Sequence, residues 1–243
     1  HPVPEEGNRR LTTQITQWHF APTREAARCL TAEGIESESV FVTGNTVIDA
    51  LMAVREREHQ FEEPAILDAI ESGHRLVLVT VHRRESWGAP VESILRGVAE
   101  LIHRNPDIHV LLATHPNPRV AEPAEEILGH EERVSLIGPQ SYLSFVKLME
   151  AADLILSDSG GVQEEAPSLD TPVLVLRQRT ERTEAIEAGC VRLVGTDSAT
   201  IAAEAEHLLR DADAYARMAS APNPFGDGQA ASKICDVLER SLG

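Results

Sequence analysis

The chain has 243 residues, 42% of them hydrophobic, enough for one large or two modest domains with a buried core, which excludes disorder over most of its length. Twenty-two basic residues against 39 acidic ones leave a formal charge of −17, a field that repels nucleic acid and anionic membrane surfaces, so neither is an expected partner. No apolar run approaches the roughly 20 residues of a membrane span. In chain order, residues 1–38 read as a loop and one or two helices with no sheet of their own, with Thr23 as an N-cap and Gly34 as a C-cap. Val40–Val42 is a short strand, turned by Gly44 and Asn45 into an amphipathic helix over Thr46–Glu58. Leu76–Val81 is an uninterrupted apolar strand, followed by a helix over Val91–His103 that Asn105-Pro106 stops. Further strands fall at Val110–Ala113, Val134–Ile137, Leu154–Leu156, Val173–Leu176 and Arg192–Val194. Helical stretches separate them near Val120–Leu128, Leu143–Ala151, Gln163–Ser168, Glu181–Ala188 and Thr200–Leu209. A Pro/Gly loop at 222–228 leads to a terminal helix over Gln229–Leu242.

These strands are continuous apolar runs rather than alternating ones, which marks a parallel sheet buried on both faces. Residues from about 44 to 215 therefore read as one doubly wound α/β domain. The flank before it, with no sheet of its own, reads as the tail of a preceding domain; the chain opens at His1, without Met, like the middle of a protein, and its first residues are polar and mixed, unlike a secretory signal. Cys29, Cys190 and Cys235 lie far apart, which suits a reduced, cytoplasmic chain and offers no zinc framework. No histidine pair has metal-ligand spacing, so no metal is expected, and the expected ligands include no cofactor. Lys147 and Lys233 are the only lysines. An acidic, lysine-poor surface fits a high-salt cytoplasm, and GC-rich coding gives the same Arg bias.

Ligands of open parallel sheets bind beyond the carboxyl ends of the strands. After Leu154–Leu156 comes Ser157-Asp158-Ser159-Gly160-Gly161-Val162-Gln163-Glu164-Glu165, where two glycines let backbone approach an anion closely, or simply make a tight turn with a capping Asp. The acid pair reads either as helix N-terminal carboxylates or as an acceptor for ribose hydroxyls. After Leu76–Val81 comes His82-Arg83-Arg84-Glu85, a phosphate site or a salt-bridged turn. His115-Pro116-Asn117-Pro118 and Glu181-Arg182 occupy two further strand ends on the same terms. These polar strand ends together favour a nucleotide-diphosphate ligand and specify no reaction.

Taken in order, the segments resemble the non-hydrolysing UDP-N-acetylglucosamine 2-epimerases. The matching stretches are Pro-Glu-Glu-Gly-Asn-Arg (4–9), Val-Thr-Gly-Asn-Thr-Val-Ile-Asp-Ala-Leu (42–51), His-Arg-Arg-Glu-Ser (82–86) and His-Pro-Asn-Pro (115–118). They continue with Ser-Asp-Ser-Gly-Gly-Val-Gln-Glu-Glu-Ala-Pro-Ser-Leu (157–169), Thr-Glu-Arg (180–182) and Asn-Pro-Phe-Gly-Asp-Gly (223–228). The resemblance implies a GT-B-type pair of Rossmann-like domains with the active site between them. On this reading residues 1–43 are the tail of the first domain, 44–221 are the complete UDP-binding second domain, and the helix of 222–243 packs back on the first. The family's Gly-Thr-Arg-Pro loop and the segments bearing its two other catalytic acids have no counterpart here. Thr183 stands where the family has Pro, and Asp170 where Gly is common, in a turn Asp also adopts.

The resemblance implies an isomerase that interconverts UDP-N-acetylglucosamine and UDP-N-acetylmannosamine through 2-acetamidoglucal. Glu5 resembles an acid/base carboxylate and His82 the residue that assists departure of the diphosphate. Ser159, Gly160 and Gly161 resemble the phosphate cradle and Glu165 the ribose ligand. Gln140 and Phe145 match uracil-contacting positions, mainly through backbone, and Arg182 matches a substrate-contacting arginine. Arg83 and His115 match part of a second, regulatory UDP-sugar site, whose presence is left open. The implied partners are the UDP-sugar and a second copy in a homodimer. Two other readings share the nucleotide half: a GT-B glycosyltransferase or hydrolysing 2-epimerase, and a UDP-binding fragment without catalysis, the last favoured for the isolated 243 residues.

Overall fold

A computed structural model describes residues 4–243, so the expectations for His1, Pro2 and Val3 as the opening of a preceding domain's tail lie outside the described residues. The elements are α1 (Glu5–Ile15), β1 (His19–Ala21), α2 (Arg24–Ala32), β2 (Val40–Val42), α3 (Thr46–Arg55), α4 (Pro64–Glu71), β3 (Arg75–Val81), α5 (Ala89–Arg104), β4 (Ile108–Thr114) and α6 (Pro118–Leu128). They continue as β5 (Val134–Ile137), α7 (Tyr142–Ala151), β6 (Leu154–Ser157), α8 (Gly160–Glu165), β7 (Val173–Val175), α9 (Thr183–Ala188), β8 (Val191–Leu193), α10 (Ser198–Arg210), α11 (Ala212–Ala219) and α12 (Ala230–Leu242). They form two units, one running up to Met52 and taking in Pro224–Gly243, the other spanning Ala53–Asn223.

In the first unit β1 and β2 pair in parallel, with Phe20 opposite Phe41 and the two rings 6.1 Å apart. This corrects the expectation that residues 1–38 contribute to no sheet. Three residues are too short to show a period, which is why His19–Ala21 is invisible in the sequence. Thr23 caps α2 by accepting from Ala26 N at 3.0 Å, and Gly34 follows that helix with φ +93°. Asp49 of α3 caps α12, its carboxylate accepting from Ala230 N at 3.0 Å and Ala231 N at 2.8 Å.

The second unit is built on a six-stranded sheet ordered β5-β4-β3-β6-β7-β8 with every pairing parallel. This is the doubly wound order, in which the chain runs outward from the central strand in one direction, then returns to its other side and runs outward again. The α/β, Rossmann-like parallel fold read from the sequence is present. Along β3, Val77, Val79 and Val81 join the cluster formed with α5, α6, α10 and α11, while buried Leu76 and Leu78 take the opposite face. A strand covered on both sides needs apolar residues at every position, and β3 has them from Leu76 to Val79. Helices α4 and α11, unassigned in the sequence, are eight residues each. Asp170 adopts the left-handed conformation at φ 57°, the turn anticipated for it.

Helices α5 and α10 cross at Gly97. A Cβ there would lie 2.9 Å from the Ser198 carbonyl oxygen and 3.1 Å from its Cα, which are backbone atoms unable to yield by rotating. Helix propensity alone predicts that Gly97→Ala stabilises the chain by about 1 kcal/mol. The packing reverses that sign: we expect Gly97→Ala to lose about 1–3 kcal/mol in a denaturant titration, as overpacked cores do.

Candidate functional site

The strand order reverses between β3 and β6, so the loops that leave their carboxyl ends diverge and open a crevice. One carboxylate ties those loops together. Asp158, fully buried just after β6, accepts from His82 N at 3.1 Å and Arg83 N at 3.0 Å, and from Ser86 Oγ at 3.3 Å. Its Oδ1 also lies 3.3 Å from His82 Nδ1. A buried charge is tolerated only when it is hydrogen-bonded this fully. The carboxylate therefore orients the imidazole and fixes the main chain from which the Arg83 side chain departs. Sequence reasoning saw Asp158 only as a turn-capping residue. Its partners are amides more than seventy positions away, a relation no local pattern carries.

Gly160 opens α8 on the other side of the crevice. Ser159 accepts from Val162 N at 3.5 Å as N-cap, and its carbonyl receives Gln163 Nε2 at 2.9 Å. A Cβ on Gly160 would sit 3.2 Å from Arg83 Nη2 and 3.3 Å from Arg182 Cζ, so two guanidinium groups from different loops converge on a residue that has no side chain to fill the space. Acids hold both. Arg182 Nε donates to Glu164 at 2.8 Å and Arg83 Nη1 to Glu85 at 3.3 Å. A third arginine, Arg177, is buried and makes a bidentate pair with Glu181 at 2.9 and 3.0 Å. It also reaches Glu85 at 3.3 Å, linking the loops after β7 and β3. The Arg177 guanidinium draws the Glu181 carboxyl down to about 2. A cavity of about 340 Å³ lies beside this pair, lined by Ser86, Pro90, Gln178 and Thr196 among others. Two cations facing one point repel each other unless an anion is placed there, so the arrangement suits a phosphate or diphosphate.

One turn along α8, Glu165 is 7% exposed and accepts from the Tyr142 hydroxyl at 2.5 Å. Burial pushes its carboxyl above the usual range, against the lowering effect of that hydrogen bond. Its Oε2 points to the Gly161 side, 3.5 Å from where a Cβ would stand. A carboxylate so placed can accept from a ligand hydroxyl. Gln140 commits its side chain to Glu63 at 3.0 Å and to Ser144 at 2.8 Å, which leaves its backbone as the part able to meet a ligand. Phe145 is half-buried on α7. His115 accepts from Asn117 N at 3.1 Å in the loop after β4. Thus Arg83, Ser159, Gly160, Gly161, Glu165 and Arg182 are brought together with His82 around the β3–β6 crevice, and Gln140 and Phe145 flank the start of α7. Glu5 belongs to the first unit, exposed in the first turn of α1. Tyr142 and Arg177 were not singled out in the sequence, and Asp158 was read there only as a turn-capping residue. Among the described residues no group of three His, Cys, Asp or Glu side chains is placed to hold a metal.

Arginines and paired glycines thus stand at the reversal point of an all-parallel doubly wound α/β sheet, at its carboxyl edge. The sequence model of the UDP-N-acetylglucosamine 2-epimerase family matches residues 1–239, and the chain belongs to that family. It is 50% identical over 243 residues to the UDP-N-acetylglucosamine 2-epimerase of Salmonella typhimurium, covering 98% of this chain and 65% of the relative. It is 47% identical over 245 residues to that of Escherichia coli K12, covering 99% and 65%. The chain thus spans about two-thirds of these relatives' length, 65% in each case. Among solved structures, the UDP-GlcNAc 2-epimerase of Neisseria meningitidis bound to UDP-GlcNAc superposes with a TM-score of 0.88 at 43% identity, over 98% of this chain and 66% of that one. A UDP complex from S. aureus gives a TM-score of 0.92 at 41% identity, over 99% and 65%.

Asp158→Asn keeps the side chain's size but turns one acceptor oxygen into a donor facing two amides. We expect a loss of about 1–3 kcal/mol in equilibrium unfolding, the usual cost of leaving buried groups unpaired. Faster hydrogen exchange at His82 N and Arg83 N would accompany it; unchanged exchange at both amides would show that the carboxylate does not hold the loop.

Proposed function

We propose that the protein to which this chain belongs is a non-hydrolysing UDP-N-acetylglucosamine 2-epimerase that interconverts UDP-N-acetylglucosamine and UDP-N-acetylmannosamine. The convergence of the Arg83 and Arg182 guanidinium groups over Gly160, one turn from the buried Glu165 carboxylate, carries this reading. That spacing suits a diphosphate joined to a ribose. Ser159, Gly160 and Gly161 cradle the phosphates, Glu165 accepts from the ribose hydroxyls, Arg182 and Arg83 bind the UDP-sugar, and Gln140 and Phe145 border the uracil. Residues 1–43 are the tail of the first Rossmann-like domain, on which the helix of 222–243 packs back. A homodimer and a cytoplasmic location belong to the same proposal; among the described residues no helix is long and apolar enough to cross a membrane.

The chemistry follows from the acidity of the sugar. The hydrogen on carbon 2 is not next to a carbonyl, so a side chain cannot remove it directly at a useful rate. Breaking the bond between carbon 1 and the diphosphate oxygen sends that electron pair to UDP and leaves oxocarbenium character at carbon 1. The neighbouring proton is then acidic. A base takes it, the carbon–hydrogen electrons form the carbon 1–carbon 2 double bond, and 2-acetamidoglucal results. Protonation of carbon 2 from the opposite face and return of the UDP oxygen to carbon 1 complete the inversion. His82, tethered through Nδ1 to Asp158, stands by the departing diphosphate, and the arginines offset its growing charge. Glu5 supplies an acid/base carboxylate.

Turnover of UDP-N-acetylglucosamine in deuterated water by the whole protein is expected to place deuterium on carbon 2 of both UDP-sugars. Label at carbon 4, transfer to an acceptor, or release of free N-acetylmannosamine each overturns the proposal, the last two in favour of a glycosyltransferase or a hydrolysing enzyme. His82→Ala is expected to reduce kcat by about 10²-fold or more with a smaller change in UDP affinity, as removal of a proton-transfer group does. Equal losses would make His82 a binding residue only.

A further inference from the structure

The hydroxyl of Tyr142 has no part in the roles assigned so far, yet it makes one of the shortest side-chain contacts around the crevice, 2.5 Å to Glu165 Oε1. The geometry is that of a charge-assisted bond, in which a phenol donates to an ionised carboxylate. Tyr142 is the first residue of α7, whose N-cap Ser141 accepts from Ser144 N at 3.2 Å, so the ring's origin is fixed by the helix start. Its side chain is substantially exposed while the carboxylate it reaches is buried. The donor thus closes the Oε1 side of Glu165 and leaves Oε2 toward Gly161, with the Ser159 hydroxyl beside the same point, 3.8 Å from where a Cβ would stand.

We infer that Tyr142 is a positioning residue: its hydroxyl holds the Glu165 carboxylate oriented to receive the two ribose hydroxyls of a nucleoside diphosphate, and so sets the preference for a ribose over a sugar that lacks them. This rests on the ribose role proposed for Glu165. The physical need is plain. A protonated carboxyl turns one of its oxygens into a donor, whereas a vicinal diol offers two donors and is best met by an acceptor-only group. Burial pushes Glu165 toward the protonated form, and the adjacent Glu164 carboxylate pushes the same way; the Tyr142 bond opposes both. Tyr142 from α7 and Glu164 from α8 are the titratable groups acting on it. Burial, and after it the bond to Glu165, raises the Tyr142 phenol, so Tyr142 stays a donor throughout the neutral range.

Calorimetric titration of the 243-residue chain with UDP and with 2′,3′-dideoxyuridine diphosphate, from pH 5 to 8 on the order of half-unit steps, tests this. Tyr142→Phe removes one oxygen from a side chain that is 43% exposed. It is expected to weaken UDP binding by about tenfold, the effect of one hydrogen bond to a charged group. Binding of the dideoxy compound should hardly change, so the preference between the two narrows. UDP binding of the wild type should weaken on acidification, as Glu165 takes up its proton. In Tyr142→Phe that midpoint should move to higher pH, because the ionised carboxylate has lost its donor. A purely structural tyrosine would lower affinity for both compounds alike and leave the midpoint in place, and that result overturns the inference. Glu165→Gln separates the two levels. If it abolishes the preference while Tyr142→Phe retains it, only the tyrosine's role fails; if it binds UDP as the wild type does, the ribose role of Glu165 falls and the inference with it.

Discussion

The buried carboxylate of Asp158 is the constraint on which the crevice depends. In a doubly wound sheet the loops at the reversal point leave in opposite directions, and the ladder hydrogen bonds between β3 and β6 end with the strands. Beyond that edge the tie is Asp158, with amides of His82 and Arg83 and the Ser86 hydroxyl on its two oxygens. A charge with no exposure costs several kcal/mol to bury when unpaired. Here that cost is offset by donors that come from the other loop, so the residue cannot be satisfied unless the two loops sit in one arrangement. Satisfying the charge and positioning the imidazole are the same event.

The electrostatic design follows from a mismatch of scales. The whole chain carries −17, which repels a diphosphate at long range. Binding must therefore come from short-range charge in a place where water and counterions screen it little. The crevice uses arginine for this, although the chain's two lysines show that ammonium groups are rare throughout. A guanidinium can give one edge to an acid and keep others for a ligand. Arg182 does so with Glu164, and Arg83 with Glu85. Glu85 is shared with Arg177, which in turn holds Glu181, so the loops after β3 and β7 are joined in one network. Acids among the arginines allow like charges to stand close before any ligand arrives, and they aim the side chains rather than neutralising the pocket.

How much of this was legible in the sequence depends on the range of each interaction. The six-stranded sheet was readable because burial on both faces writes itself as unbroken apolar runs, and its strands appear within a residue or two of their expected places. Strand β1 was not, since His19–Ala21 is held by its neighbour β2 and not by any pattern of its own. Helix α11 was left unassigned beyond the expected Thr200–Leu209 helix because no glycine or proline marks its start; Asp211 alone ends α10 and caps α11. At the site, Gly160, Gly161, Arg83, Arg182 and His82 were legible as strand-end residues. The contributions of Asp158, Tyr142 and Arg177 were not, because each acts on a partner brought near by the fold. A sequence displays which groups stand at an edge, while which group holds another is a property of the assembled sheet.

The same distinction sorts the motifs by which the family is recognised. Val-Thr-Gly-Asn-Thr at 42–46 and Asn-Pro-Phe-Gly-Asp-Gly at 223–228 contain polar residues that invite a chemical role, yet most of their work is done on each other. A Cβ on Gly44 would lie 3.3 Å from the Gly226 Cα, and both glycines have positive φ, 90° and 138°. Asn45 N donates to the Phe225 carbonyl at 2.7 Å, Phe225 is buried, and Asp49 caps the helix that follows. These contacts carry the chain's last helix into the first unit. An alanine at Gly44 would have to adopt a left-handed backbone against another main chain. Its effect would reach any ligand only through the fold. The glycine of 160 answers to different physics: it leaves room for arginines rather than for backbone, and a side chain there would displace charge instead of structure.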